Sequence, residues 1–183
     1  MNSKFKNSCR FNEQEEHDKA ILLKWFESGS DILTRENEIA HLTASAWVVS
    51  PAKKDVLMAY HNIYHSWAWL GGHADGDADL HYVAQKEVME ESGLTHVKFL
   101  LDEPFSIEIL SVDGHMKKGH YVSTHLHLNV TYLMEADPED AVQNRPEENS
   151  AVAWIRVDQI AEKINRTMVC GARICEAVRE DAS

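Results

Sequence analysis

The segment that most limits how this chain can fold is Leu80–Ser92, because its charges stand where its burial should be. Asp79 is a suitable N-cap and Gly93 a suitable C′ residue, so the spacing predicts one helix over 80–92. At 100° per residue Leu80, Val83, Ala84 and Val88 form one apolar stripe, the face a helix turns toward a core. Glu87 and Glu91 lie on that same stripe, and Glu90 flanks it. Like charges four residues apart repel, and anions near a helix C-terminus oppose its dipole; each effect costs a few tenths of a kcal/mol, up to about 1 kcal/mol. Two environments accommodate such a helix. The carboxylates either form a solvated face with Lys86 as a local partner, or they meet a hard divalent cation that prefers oxygen ligands.

The rest of the chain supplies a sheet for this helix to pack on. A first helix is expected over 12–28, with Asn12 and Glu15 as a capping box and Gly29 after the last turn. Residues 30–40 read as a connector. Strands are expected at His41–Ser50 and Val56–His61, joined in a hairpin by the turn at Pro51–Asp55. A short aromatic strand, Trp67–Leu70, is expected to stop at Gly71-Gly72. Further strands are expected at Val97–Leu101, Phe105–Val112, His120–Met134 and Val152–Val157, with an acidic loop over Glu135–Ser150. Helical segments near Asp158–Ile164 and Val169–Glu180 close the chain. Helices before, between and after the strands make this an α+β domain rather than a regular β-α-β alternation.

Charge restricts the partners. The net charge is -12, with no cluster of Lys and Arg, so nucleic-acid backbones and anionic membrane surfaces are repelled. No apolar run approaches the roughly 20 residues that span a bilayer, and Met1–Asn12 is polar, without a signal-peptide core. Three cysteines, Cys9, Cys170 and Cys175, cannot all pair within one chain, which fits a reducing cytoplasm. An acidic chain that binds a phosphorylated small molecule needs metal ions or a few placed cations.

Gly72 to Leu94 reads GHADGDADLHYVAQKEVMEESGL and resembles the Nudix box, G-x5-E-x7-R-E-U-x-E-E-x-G-U, with U aliphatic. Gly72, Glu87, Val88, Glu90, Glu91, Gly93 and Leu94 occupy defining positions at the required spacing. Trp69-Leu70-Gly71-Gly72 is similar to the aromatic and Gly-Gly lead-in of such boxes, and Ala153-Trp154-Ile155 to a late strand of the family; the similarity spans about His41 to Ile164. Two positions depart from the pattern. Lys86 replaces the arginine that orients the first glutamate, keeping the charge but losing the rigid fork. Ala78 stands where a glutamate is counted, one place after Asp77.

The resemblance implies a Nudix-type α/β/α sandwich with a mixed central sheet over 41–183, preceded by an N-terminal helical extension at 1–40 that is available as a homodimer contact or a lid. It implies a pyrophosphohydrolase that cleaves the diphosphate linkage of a nucleoside diphosphate derivative. Glu87 and Glu91 would bind Mg2+ or Mn2+, Glu90 would be a further ligand or orient water, and the Gly71 carbonyl would join the coordination sphere. The general base of the family often stands in a late loop, which makes Glu147 and Glu148 in RPEENS the candidates, Glu148 ahead. The alternative within the fold is a non-catalytic ligand-binding or regulatory protein, which typically shows eroded box glutamates; here they are intact. An isopentenyl-diphosphate isomerase of this fold would need a strand cysteine just before the box, and none is there.

Other polar residues invite substrate contacts. His125 and His127 alternate on one strand face with Ser123 and Asn129, either lining the substrate cleft or forming an exposed face. An H-x-H pair also suits zinc, but no third ligand lies nearby in sequence. His73 in the box loop is placed to touch phosphate or simply to make a turn. Arg35 suits a bidentate phosphate clamp or a surface salt bridge. Trp69, like Trp47 and Trp67, offers a stacking platform or a core aromatic.

Overall fold

A computed structural model describes residues 13–62, 65–117 and 119–164. In chain order the elements are α1 (Glu13–Glu27), β1 (Ala40–Val49), β2 (Asp55–His61), β3 (Ser66–Ala68), β4 (Leu70–His73), α2 (Leu80–Ser92), β5 (Lys98–Phe99), β6 (Ser106–Val112), β7 (His115–Lys117), β8 (His120–Val122), β9 (His125–Glu135) and β10 (Asn149–Arg156). A 3-10 turn, Val157–Gln159, and α3 (Ile160–Lys163) follow. Pairing runs β10-β2-β1-β9-β5, with β3 on β2, β4 on β1 and β6 on β9, while β7 and β8 pair apart from the rest. The α+β arrangement is the one expected. Residue contacts group the chain into two compact units.

One unit takes the chain through Ser45, Gly72–Ala84 and Leu101–Tyr132. Here β6 pairs antiparallel with β9 from Ser106↔Thr131 to Val112↔His125. Helix α1 lies against β6: Ser106 Oγ donates to Glu15 Oε1 at 2.6 Å and the Ile109 amide donates to Asp18 at 3.2 Å. Covering a strand edge in this way removes unpaired backbone groups from water. Buried polar side chains are knitted together, with Thr43, Ser45 and Thr131 bonding Asn129, and Asn129 donating to Glu108. The start of α2 also belongs here, and Asp79 accepts from the Tyr82 amide at 3.3 Å, the expected N-cap.

The other unit takes Ala46–Gly71, Gln85–Leu100 and the chain from Leu133. Strand β10 pairs with β2 over Arg156↔Asp55 to Asn149↔His61, with a bulge between Asn149 and Ala151. Strand β2 also pairs with β1 at Val48↔Leu57, the hairpin read from the sequence. The core includes Trp47, Val48, Leu57, Met58, Leu70 and Val88, all fully buried. Gly93 ends α2 with φ +73°, and its amide bonds the Met89 carbonyl at 2.9 Å.

Four expectations need correction. Gly71 and Gly72 do not stop a strand but lie inside β4, because pairing with β1 carries the strand through them; the Gly71 amide there meets the Glu91 carboxylate. The single strand expected over His120–Met134 is two, because residues 113–124 leave the β6–β9 ladder as the small β7–β8 hairpin. The Gly114 amide donates to Thr124 Oγ1 at 3.1 Å and closes the base of that excursion. The strand at 97–101 shrinks to β5, and the late strand starts earlier, at Asn149. Asn12, the segment Val169–Glu180 and all three cysteines lie outside the described residues.

Candidate active site and a histidine cluster

Helix α2 buries Leu80, Val83, Ala84 and Val88, as the stripe requires. Glu91 goes in with them, 5% exposed. The Glu87 side chain keeps 13% of its surface, whereas Glu90 keeps 43%. Lys86 Nζ stands 3.4 Å from Glu87 and 3.9 Å from Glu90, so the lysine at the arginine position does reach the first glutamate. The Gly71 amide donates to Glu91 Oε2 at 3.0 Å.

Burial dominates the electrostatics. It pushes Glu91 up to about 8, against the pull of the Gly71 amide, with Glu148 and Glu87 adding repulsion and Arg145 opposing it. Burial also raises Glu87, countered by Lys86 and reinforced by Glu90 and Glu148. A buried carboxylate and a part-buried one a helical turn away, both raised by desolvation, form a donor set a hard divalent cation satisfies.

Residues 145–149 approach this helix. Arg145 Nη1 lies 3.3 Å from Glu90 and 3.6 Å from Glu148. Asn149, fully buried, accepts from the Arg145 amide at 3.0 Å and donates to the Glu91 carbonyl at 3.4 Å. Glu148 is thereby brought near the box carboxylates, while Glu147 is exposed. Sequence reasoning missed Arg145 and Asn149; the signal was the lone arginine in the acidic loop, inside the quoted RPEENS. Trp69 is mostly buried, its ring 6.0 Å from that of Trp47, so it serves as a core aromatic.

In the first unit, His41, His73 and His127 each offer a ligand nitrogen, and these atoms lie within 4.8 Å of one another. His125 joins them, its ring 4.9 Å from that of His41 and its Nε2 3.2 Å from His127 Nε2. His125 is 7% exposed, so the H-x-H pair does not form an exposed face. The H-x-H pair, for which the sequence offered no obvious third ligand nearby, finds His41 and His73 beside His127 in space. Burial, then Arg35 and His41, lower His73 to about 3; burial, then His73 and His41, lower His127 to about 2. Arg35 forks onto Asp75, with Nε to Oδ1 at 2.7 Å and both side chains about half exposed, which is the surface salt bridge of the two readings. Glu108 is buried behind Asn129 and Ser106; burial pushes it up to about 7.

Comparison with known proteins identifies the family. The family model of the NUDIX domain matches residues 40–170. No curated protein matches the sequence. Among solved structures, a NUDIX-family hydrolase from Clostridium perfringens is 18% identical, with a TM-score of 0.53 over 75% of this chain and 97% of that one. The Ap4A hydrolase binary complex of C. elegans is 19% identical, with a TM-score of 0.51 over 76% and 98%. The dihydroneopterin triphosphate pyrophosphohydrolase of E. coli is 14% identical, with a TM-score of 0.55 over 74% and 92%. These likenesses concern the fold, whereas the family match covers most of the sequence and includes the intact box glutamates. The chain therefore belongs to the Nudix family and is a hydrolase acting on diphosphate bonds.

Proposed function

We propose that this hydrolase cleaves the diphosphate linkage of a small nucleoside diphosphate derivative with the help of Mg2+, or Mn2+, held by Glu87 and Glu91. The observation that carries the reading is the buried Glu91 carboxylate beside Glu87, a pair that burial destabilises when charged. Glu90 serves as a further ligand or orients water, and the Gly71 backbone, already at Glu91, is available through its carbonyl. When bound, such a cation neutralises diphosphate oxygens and lowers the pKa of water. Lys86 holds Glu87 in place, and Glu148 Oε takes the proton from the attacking water. Arg145, between Glu90 and Glu148, keeps the base from being repelled by the box. Arg35, paired with Asp75 in the structure, would have to exchange that partner to hold a substrate phosphate.

The same reading has a small molecule, not nucleic acid, as substrate, a cytoplasmic location in keeping with the unpaired cysteine count, and α1 as a candidate dimer contact. No helix among the described residues is long and apolar enough to cross a membrane. The test is turnover of nucleotide sugars, dinucleoside polyphosphates, ADP-ribose and nucleoside triphosphates with Mg2+ and with excess EDTA. Activity should vanish in EDTA. Glu148→Gln should lower kcat with little change in KM, the pattern of lost transition-state assistance, while Glu147→Gln should not. Undiminished turnover in EDTA overturns the metal role, and an unaltered Glu148→Gln enzyme overturns the assignment of the base.

A further inference from the structure

We propose that His41, His73 and His127 form a second metal site, separate in kind from the box carboxylates, that takes a nitrogen-preferring divalent transition ion of the zinc class. Three independent stretches of chain contribute it: β1, the end of β4, and β9. The three ligand nitrogens lie within 4.8 Å of one another, and nitrogens around tetrahedral zinc at about 2.1 Å stand about 3.4 Å apart, so they are at most about 1.4 Å wider apart than such an ion would hold them.

Hydrogen bonding sets the tautomers for ligation. His41 Nδ1 lies 3.0 Å from the Asn37 carbonyl, which can only accept, so Nδ1 carries the proton and Nε2 a bare lone pair. That Nε2 is buried and has no hydrogen-bond partner. A buried nitrogen without a partner is destabilising, and a cation would remove that cost. His125 repeats the pattern, its Nδ1 2.8 Å from the Ser123 carbonyl. Its Nε2 therefore accepts, and His127 must supply the proton of their 3.2 Å contact, which leaves His127 Nδ1 bare. Backbone carbonyls that fix the tautomer and ring of a histidine are the usual supports of metal-binding imidazoles.

The competing role is contact with substrate phosphate. It asks for positive charge, yet the His41 ring stands 5.1 Å from that of His73 and 5.2 Å from that of His127, so several protonated rings would repel one another. Neutral imidazoles suit Zn2+, Co2+, Ni2+ or Cu2+ and not the Mg2+ expected at oxygen ligands, so one chain would hold two metals of different chemistry.

The proposal does not depend on catalysis and is tested without it. The full chain, stripped with EDTA and dialysed, is titrated with Zn2+ against a chromogenic chelator, and with Co2+ by visible absorption. A single high-affinity equivalent is expected, unchanged in the Glu87→Gln/Glu91→Gln double variant and at least about tenfold weaker in His41→Ala and His127→Ala. Zinc K-edge absorption of the parent protein, which needs no variant to fold, should show a nitrogen shell with imidazole multiple scattering. Binding lost in the glutamine double variant, binding indifferent to the histidines, or a thiolate band or sulfur shell from the cysteines would each overturn the site.

Discussion

Glu91→Gln tests whether α2 carries a carboxylate strained by its own burial. The folded carboxyl is raised from 4.5 to about 8. Between those values the folded chain holds a proton that the unfolded chain has lost, so metal-free stability falls as pH rises through the window. At pH 7 the displacement is about 2.5 pH units at 1.36 kcal/mol each, an upper bound of about 3 kcal/mol; at pH 5 it is below about 1 kcal/mol. Glutamine removes this cost and keeps an oxygen for the Gly71 amide, which now donates to Oε2 at 3.0 Å. Urea unfolding in EDTA, followed by tryptophan fluorescence, should therefore find the variant more stable by up to about 3 kcal/mol at pH 7 and nearly equal to the parent at pH 5. Adding Mg2+ should stabilise the parent and not the variant. A variant less stable than the parent at pH 7, or a gain that does not change with pH, would show that Glu91 is already charged and compensated without metal.

Two other substitutions separate scaffold from site. Glu108→Gln removes a buried carboxyl raised from 4.5 to about 7 but deprives Ser106 or Asn129 of an acceptor, a loss of about 1 kcal/mol; unfolding should show a net gain of about 2 kcal/mol at pH 8 and none at pH 5, and a pH-independent difference would refute the burial argument. Asn149→Ala leaves the Arg145 amide and the Glu91 carbonyl short of partners, so it should cost about 1–3 kcal/mol in urea unfolding and lower kcat as the 145–149 segment loosens; parental stability would mean that Asn149 does not anchor that segment.

What the sequence disclosed depended on how local the cause was. Helix α2 was legible to the residue because its limits are set within its own turns: Asp79 caps the Tyr82 amide, and Gly93 takes the left-handed conformation that closes the last turn. The β7–β8 hairpin was not, because Met116 and Tyr121 are exposed and supply no alternation of buried and solvated positions. The Gly71-Gly72 pair misled because glycine has two uses in a strand. It breaks one where flexibility dominates, and it is carried through where a neighbouring strand holds the backbone, as pairing with β1 does here.

The same division governs the two clusters of candidate ligands. Glu87, Glu90 and Glu91 share one helix, so their meeting follows from a period of 3.6 residues and could be read from spacing alone. The histidines at 41, 73 and 127 share no element, and only His125 and His127 are related by a strand's period of two. His41 sits in a strand whose ten residues are all buried, Thr43 and Ser45 among them, so its polarity gives no sign of where its ring nitrogen is aimed. Glu148 falls between these cases. Its loop was identified by position in the chain, but the reason to prefer it over Glu147 is a contact. Arg145, three residues earlier, ties it to Glu90, and buried Asn149 fastens the same turn to the end of the box helix. A base in a loop needs such an anchor to stay within reach of the water it deprotonates, because a misplacement of about 1 Å can cost a hundredfold in rate. The residues that hold the base are therefore as much a part of the proposed site as the carboxylate itself.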